Sequence, residues 1–154
     1  MYKFIAFAVL AVILAPAVSA TFWRNCLGVR GPDHIETPLC DAERCFAVRG
    51  EPFIANVTLS SPDVHHELLV ENIAFIFGIP VQLPVEPPHD NGCNQLYVNG
   101  VFHGCPTVPN IPHIWMIHQD IPGFLPAFQN TVVRYTLTDR GTLVGCVEIT
   151  ATLV

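Results

Sequence analysis

Six cysteines, Cys26, Cys40, Cys45, Cys93, Cys105 and Cys146, are spread over most of a 154-residue chain and constrain what it can fold into. Their meaning depends on the compartment. Lys3 precedes an apolar run from Phe4 to Ala15, and Pro16-Ala-Val-Ser-Ala20 then places small residues at Val18 and Ala20. A basic start, an apolar segment too short to span a bilayer and small residues before a cut describe a secretory signal peptide over residues 1–20. The rest, residues 21–154, reads as one domain that matures where thiols are oxidised, and an even cysteine count there implies three disulfides. A zinc site would call for a CxxC pair, and the sequence has none. Spacing favours Cys40 with Cys45 and Cys93 with Cys105, each closing a short loop, which leaves Cys26 for Cys146. In the chain-entropy model, closing that longest loop stabilises by roughly 4 to 5 kcal/mol.

Pro (14) and Gly (10) recur along the whole length, so few stretches can run as a long helix. The expected fold class is all-β. Short segments rich in β-branched and aromatic residues, bounded by turn residues, predict strands at Phe53–Leu59, Leu68–Phe77, Ile111–His118, Thr131–Thr138 and Leu143–Leu153. Asp139-Arg140-Gly141 reads as a hairpin turn and Asp90-Asn91-Gly92 as a second tight turn. Asn56-Val57-Thr58 is the only glycosylation sequon, which puts Asn56 outside and sends Phe53, Ala55, Val57 and Leu59 inward. In the last strand Glu148, Thr150 and Thr152 alternate with Val147, Ile149, Ala151 and Leu153, giving one wet and one dry face. Such strands point to two antiparallel sheets packed face to face, with a β-barrel as the rival. Ile73 to Ile79 does not alternate, so its inward face is not readable.

Without Lys3 the chain holds six Arg and no Lys against 13 Asp plus Glu. Phosphate backbones would be repelled, which argues against nucleic-acid binding. Seven His could change that balance: full protonation in an acidic compartment would bring the mature charge from −7 to about zero and ease approach to an anionic membrane. As metal ligands the pairs His65-His66 and His113 with His118 do not converge, and they read as surface residues with no metal.

Several fragments, taken together, carry a resemblance. They are Asn25-Cys26, Pro38-Leu-Cys-Asp-Ala-Glu-Arg-Cys45, Phe53-Ile-Ala-Asn-Val-Thr58, Gly78-Ile-Pro-Val-Gln-Leu-Pro-Val-Glu-Pro87, Asn91-Gly-Cys93, Cys105-Pro106, Val132-Val-Arg-Tyr-Thr-Leu137 and Cys146-Val-Glu-Ile149. In this order the chain resembles the myeloid-differentiation-factor-2-related lipid-recognition (ML) family, in its Niemann-Pick C type 2 branch, which includes the group 2 dust-mite allergens. The resemblance implies an immunoglobulin-like two-sheet β-sandwich with the disulfide pairing given above. It also implies a space between the sheets for one sterol, fatty acid or similar apolar molecule. Leu83 matches a bulky residue at the pocket mouth. Ile79, Pro80 and Val81 match the segment that borders the mouth and meets a membrane lipid-transfer partner.

The residues themselves supply further candidates for ligand contact. Trp115, Ile121, Phe124, Leu125 and Phe128 surround Pro122 and Pro126, where no regular helix can form and large side chains can cover an opening. Val57 and Leu59 face inward on one strand, and Val133, Tyr135 and Leu137 lie in phase on another. The expected molecule is a monomeric, secreted or endosomal–lysosomal lipid carrier without cofactor. No GxSxG, HExxH, P-loop or GxGxxG is present to suggest an enzyme. The alternative is an extracellular immune-recognition or adhesion module with a filled core.

Overall fold

The computed structural model describes residues 22–26, 28 and 31–154; the signal-peptide reading of residues 1–20 lies outside them. Among the described residues there are eleven strands: β1 (Trp23–Asn25), β2 (His34–Glu36), β3 (Cys45–Ala47), β4 (Pro52–Leu59), β5 (Leu69–Ile76), β6 (Ile79–Leu83), β7 (Leu96–Val98), β8 (Val101–Phe102), β9 (His113–Asp120), β10 (Phe128–Asp139) and β11 (Thr142–Leu153). One sheet runs β1-β11-β10-β5-β6, with β3 also pairing β11; the other runs β2-β4-β9-β7-β8. All pairings are antiparallel except β3 beside β11. The two sheets form an immunoglobulin-like sandwich held by three disulfides, Cys26–Cys146, Cys40–Cys45 and Cys93–Cys105.

The alternating strands face as their pattern dictates. Phe53, Ala55 and Val57 of β4 are buried and Ile54 and Asn56 exposed, while Val147, Ile149, Ala151 and Leu153 of β11 enter the core. The Arg140-Gly141 pair links β10 to β11 with positive φ at both residues, 49° and 81°, the backbone a two-residue hairpin of this twist requires. Phe77-Gly78 does the same between β5 and β6, at 52° and 80°.

The structure corrects three expectations and settles the inward face of β5, which periodicity left open. Asn91-Gly92 is not a tight turn: the Asn91 side chain accepts a 2.9 Å bond from the Cys93 amide and caps a 3-10 turn over Gly92–Gln95. Glu148 is on the outer face yet buried, because Arg24 Nε at 2.6 Å and Arg134 Nη2 at 2.6 Å close over its carboxylate. His65 and His113 are buried rather than surface residues, each with its ring nitrogens satisfied. His65 meets Ser61 Oγ and Asp139 Oδ2, and His113 meets the Ile111 carbonyl and the Val108 amide. In β5 it is Asn72 and Ala74 that are buried. The outward Phe75 packs under the Arg134 guanidinium, 4.9 Å from its ring centre, which explains why both faces of this strand read as apolar.

Register divides the core along the strand direction. At one end Val57 pairs with Trp115, Leu96 with Trp115, and Leu137 with Gly145 and Val70. In this half Val57, Leu68, Leu96, Trp115 and Leu137 are buried together, and a hollow of only about 30 Å³ remains beside Leu59, Leu96 and Leu137. Next comes a layer in which Phe53 stacks on Tyr135 with ring centres 6.4 Å apart, beside Asn72 and Gln119. Beyond that layer the second sheet ends, at the Pro52–Asp120 pair, while β10 and β11 run on to Phe128 and Leu153.

Candidate functional site

Past the end of the second sheet a hollow of about 60 Å³ is left against the first. From one sheet β5 supplies Ala74 and Ile76, β6 Leu83, β10 Phe128, Thr131 and Val133, and β11 Ala151 and Leu153. Ala47 of β3 adds to that same sheet, and Asp120 at the end of β9 with the loop residues Ile121, Pro122 and Leu125 complete the lining. The lining is apolar apart from Asp120 and Thr131, and it has no basic residue. Larger grooves lie on the outside. One of about 400 Å³ runs over Arg24, Arg134 and Glu148, and another of about 470 Å³ runs past Ser60 to Asp63. Both carry charged groups.

The loop between β9 and β10 forms one lip. Pro122 and Pro126 deny it a helix, and Gly50 N–H to the Ile121 carbonyl (2.8 Å) and Arg49 Nη1 to the Leu125 carbonyl (3.4 Å) fix it against the β3–β4 turn. Leu125 turns inward, whereas Phe124 is 86% exposed. The opposite lip is the β5–β6 hairpin. Phe77 occupies a left-handed position that bulky side chains rarely adopt, stands 90% exposed, and meets Phe128 edge-on with ring centres 5.8 Å apart. Ile79, Pro80 and Val81 continue outward along the edge strand β6, all exposed. Pro80 also withdraws a donor from that edge.

The candidates named from sequence therefore fall into three places. Leu83, Ile121, Leu125 and Phe128 meet at the hollow, together with Val133. Val57, Trp115, Tyr135 and Leu137 lie in the filled core, and Leu59 is at its far end beside Gly145. Phe124 stands outside on the rim. Asn56 is exposed on β4, so a glycan would meet no steric bar there. Sequence reasoning did not single out Ala47, Ala74, Ile76 or Thr131. Small residues at inward positions, Ala74 and Ala151 above all, were the available sign of unfilled space.

The Pro-rich segment from Pro84 to Asp90 is tied down over the second sheet by polar contacts. Gln119 Nε2 donates to the Pro84 carbonyl at 3.2 Å, and Asn94 Nδ2 to the Pro88 carbonyl at 3.1 Å. Trp115 Nε1, a donor only, bonds Gln95 Oε1 at 3.2 Å, so Gln95 turns its Nε2 toward His89 Nδ1 at 2.6 Å. His89 must accept there and is neutral. Its ring stacks on His118 with centres 4.0 Å apart, and His118 reaches Asp120 at 3.2 Å. Burial, then the His118 charge, hold His89 below the usual imidazole range against the pull of Asp120 and Asp90. Burial also lowers His113. Mild acid therefore does not neutralise the protein as fully as seven free histidines would.

In comparison with known families, residues 20–153 match the ML domain. Among solved structures, the crystal structure of a Niemann-Pick type C2 protein from Japanese carpenter ant aligns with a TM-score of 0.68 at 14% identity, over 86% of this chain and 98% of that one. At that identity the likeness speaks for the fold. No curated protein matches the chain by sequence.

Proposed function

Because the chain belongs to the ML domain family, we propose that it is a secreted carrier that binds one sterol, fatty acid or similar apolar molecule between its sheets and passes it on. The observation that carries this reading is the apolar hollow, walled by β3, β5, β6, β10 and β11 and covered by the β9–β10 loop. Small-molecule sites usually span roughly 300 to 1,000 Å³. A guest of that size enters only if the lips, Leu125 and Phe128 on one side and the β5–β6 hairpin on the other, move apart. Phe77, Ile79 and Phe124 around them are exposed apolar side chains suited to contact with a membrane or a lipid-transfer receptor.

The magnitudes fit transfer. Burying about ten methylenes gives roughly 8 kcal/mol, and association costs at least about 4 kcal/mol. The difference corresponds to millimolar binding, tightening toward micromolar with close packing. Residues 1–20 support export, and an endosomal or lysosomal lumen would suit the same oxidised, glycosylated chain. Binding rather than catalysis is the role, with the chain acting alone. Delipidated protein titrated with a fluorescent sterol and a fluorescent fatty acid should saturate at one guest per chain. Absence of saturable binding to both would leave only a recognition or adhesion module.

A further inference from the structure

At the end of the sandwich away from the hollow, three side chains from separate stretches of chain meet in a row. Ser61, in the segment between β4 and β5, lines both the outer groove of about 470 Å³ and the small recess of about 30 Å³ beside Leu59. His65 Nε2 lies 2.9 Å from Ser61 Oγ, and His65 Nδ1 lies 3.1 Å from Asp139 Oδ2 at the end of β10. Backbone contacts hold the histidine in this pose. Its amide donates to Thr107 Oγ1 at 2.8 Å, and its carbonyl accepts from the Thr107 amide at 3.0 Å.

The direction of each hydrogen bond in the row is set by the group at its end. Asp139 as a carboxylate only accepts, so the proton of the neutral His65 ring sits on Nδ1 and faces it. His65 Nε2 is then the acceptor, and Ser61 donates its hydroxyl proton to it. Ser61 Oγ in turn accepts from the Asp63 amide at 3.1 Å, as suits an oxygen whose own proton points elsewhere. Asp139 Oδ1 is buried without a hydrogen-bond partner, and the nearest cation, Arg140 Nε, is 4.0 Å from it. The carboxylate's charge is therefore left largely for the imidazolium that forms when His65 receives a second proton.

We propose that Ser61 is an activated nucleophile that takes acyl groups from neutral esters, with His65 as its general base and Asp139 as the positioning residue. Ser61 Oγ bonds the ester carbonyl carbon while the bond from that carbon to the alcohol oxygen breaks. The serine proton passes to His65 Nε2 and from there to the departing alkoxide, leaving an O-acyl serine and a free alcohol. The groove suits uncharged esters: its lining holds Asp63 and no basic residue, while Leu59, Leu143 and Val144 offer apolar surface to the chain. This site is separate from the hollow and does not depend on the carrier reading. Ser60 next to it supplies an internal contrast, because its hydroxyl is committed to Asp33 Oδ2 at 2.8 Å.

The test treats the mature protein with p-nitrophenyl acetate at neutral pH and maps the acetyl group by peptide mass spectrometry. Lys3 is the only lysine in the sequence, so none in the mature chain competes. General-base assistance predicts that Ser61 is acetylated at least about 100-fold faster than Ser60. The rate should climb with pH along a single sigmoid, flatten in His65→Gln, and shift its midpoint in Asp139→Asn, a change that a merely structural contact would not cause. Ser61→Ala should remove the adduct and leave binding of a fluorescent guest unchanged. Should His65→Gln not fold, the Ser61-to-Ser60 ratio and the pH profile of the wild type decide the matter. Equal acetylation of Ser60 and Ser61, an adduct only at other residues, or a Ser61 rate untouched by His65→Gln would overturn the assignment and leave the carrier standing.

Discussion

Ala74→Val is the sharpest perturbation of the hollow. Ala74 is buried in the middle of its wall, between Val81 on β6 and Val133 on β10. Two added methyl groups are a fair match for a void of about 60 Å³. Unfilled volume costs about 24 cal/mol per Å³, so filling this one is worth at most about 1.4 kcal/mol, with a β-branched residue favoured in a strand. The melting temperature should rise by about 3 to 6 °C for a chain of this size. The same methyl groups occupy guest space, so affinity for a fluorescent sterol or fatty acid should fall at least tenfold. Thermal melts with and without guest read both effects. A folded Ala74→Val variant that is destabilised by more than about 1 kcal/mol would mean that the site is already full. Unchanged guest affinity would mean that the hollow is not where the guest sits.

Other expectations follow from single groups. The folded-state affinity of His89 for a proton is depressed, so below about pH 6.5 the unfolded chain binds more protons and stability declines until pH passes below the folded value. His113 acts in the same direction. His89→Gln should therefore lose less stability than the wild type between pH 7.5 and 5.5 in denaturant melts; equal losses would count against the His89 contacts. Burial opposes ionisation of Glu148, but hydrogen bonds and charge from Arg134 and Arg24 outweigh it and hold the carboxyl below its usual range. Arg134→Ala should cost about 1 to 2 kcal/mol in urea unfolding, moderated by the partial exposure of the arginine. Its contribution should vanish as pH falls through the lowered Glu148 value. Replacing Cys26 and Cys146 together by Ala should cost up to about 5 kcal/mol, against about 2 kcal/mol for the Cys40–Cys45 pair, because the closed loops differ so much in length. A larger loss at the short loop would show that loop entropy is not the main term.

The two-sheet sandwich was legible because β4 and β11 alternate cleanly and because turn residues punctuate every long strand. The short strands β1, β2, β3, β7 and β8 were not, since two or three residues carry no period and are recruited by longer neighbours. Period two reports which face of a strand turns inward and is silent on depth along it. Val57 and Leu137 were rightly placed inside, whereas Trp115, expected over an opening, is buried with them; only register shows that all three pack one end while Val133 and Leu83 line the hollow toward the other. Glu148 looked solvated because the sequence does not reveal that Arg24 and Arg134, 124 and 14 residues away, fold over it. The Asn72–Gln119 pair was equally hidden, as its partners are 47 residues apart and meet only across the two sheets.

The central claim is that the open end of the sandwich takes up one apolar guest. Native mass spectrometry of the protein recovered from secreting cells tests it most directly. The account predicts a species one lipid heavier than the lipid-free protein, removed by delipidation, restored by added lipid and reduced in Ala74→Val. A bare mass that no added lipid shifts, or a ladder of adducts with no limit at one, would contradict it.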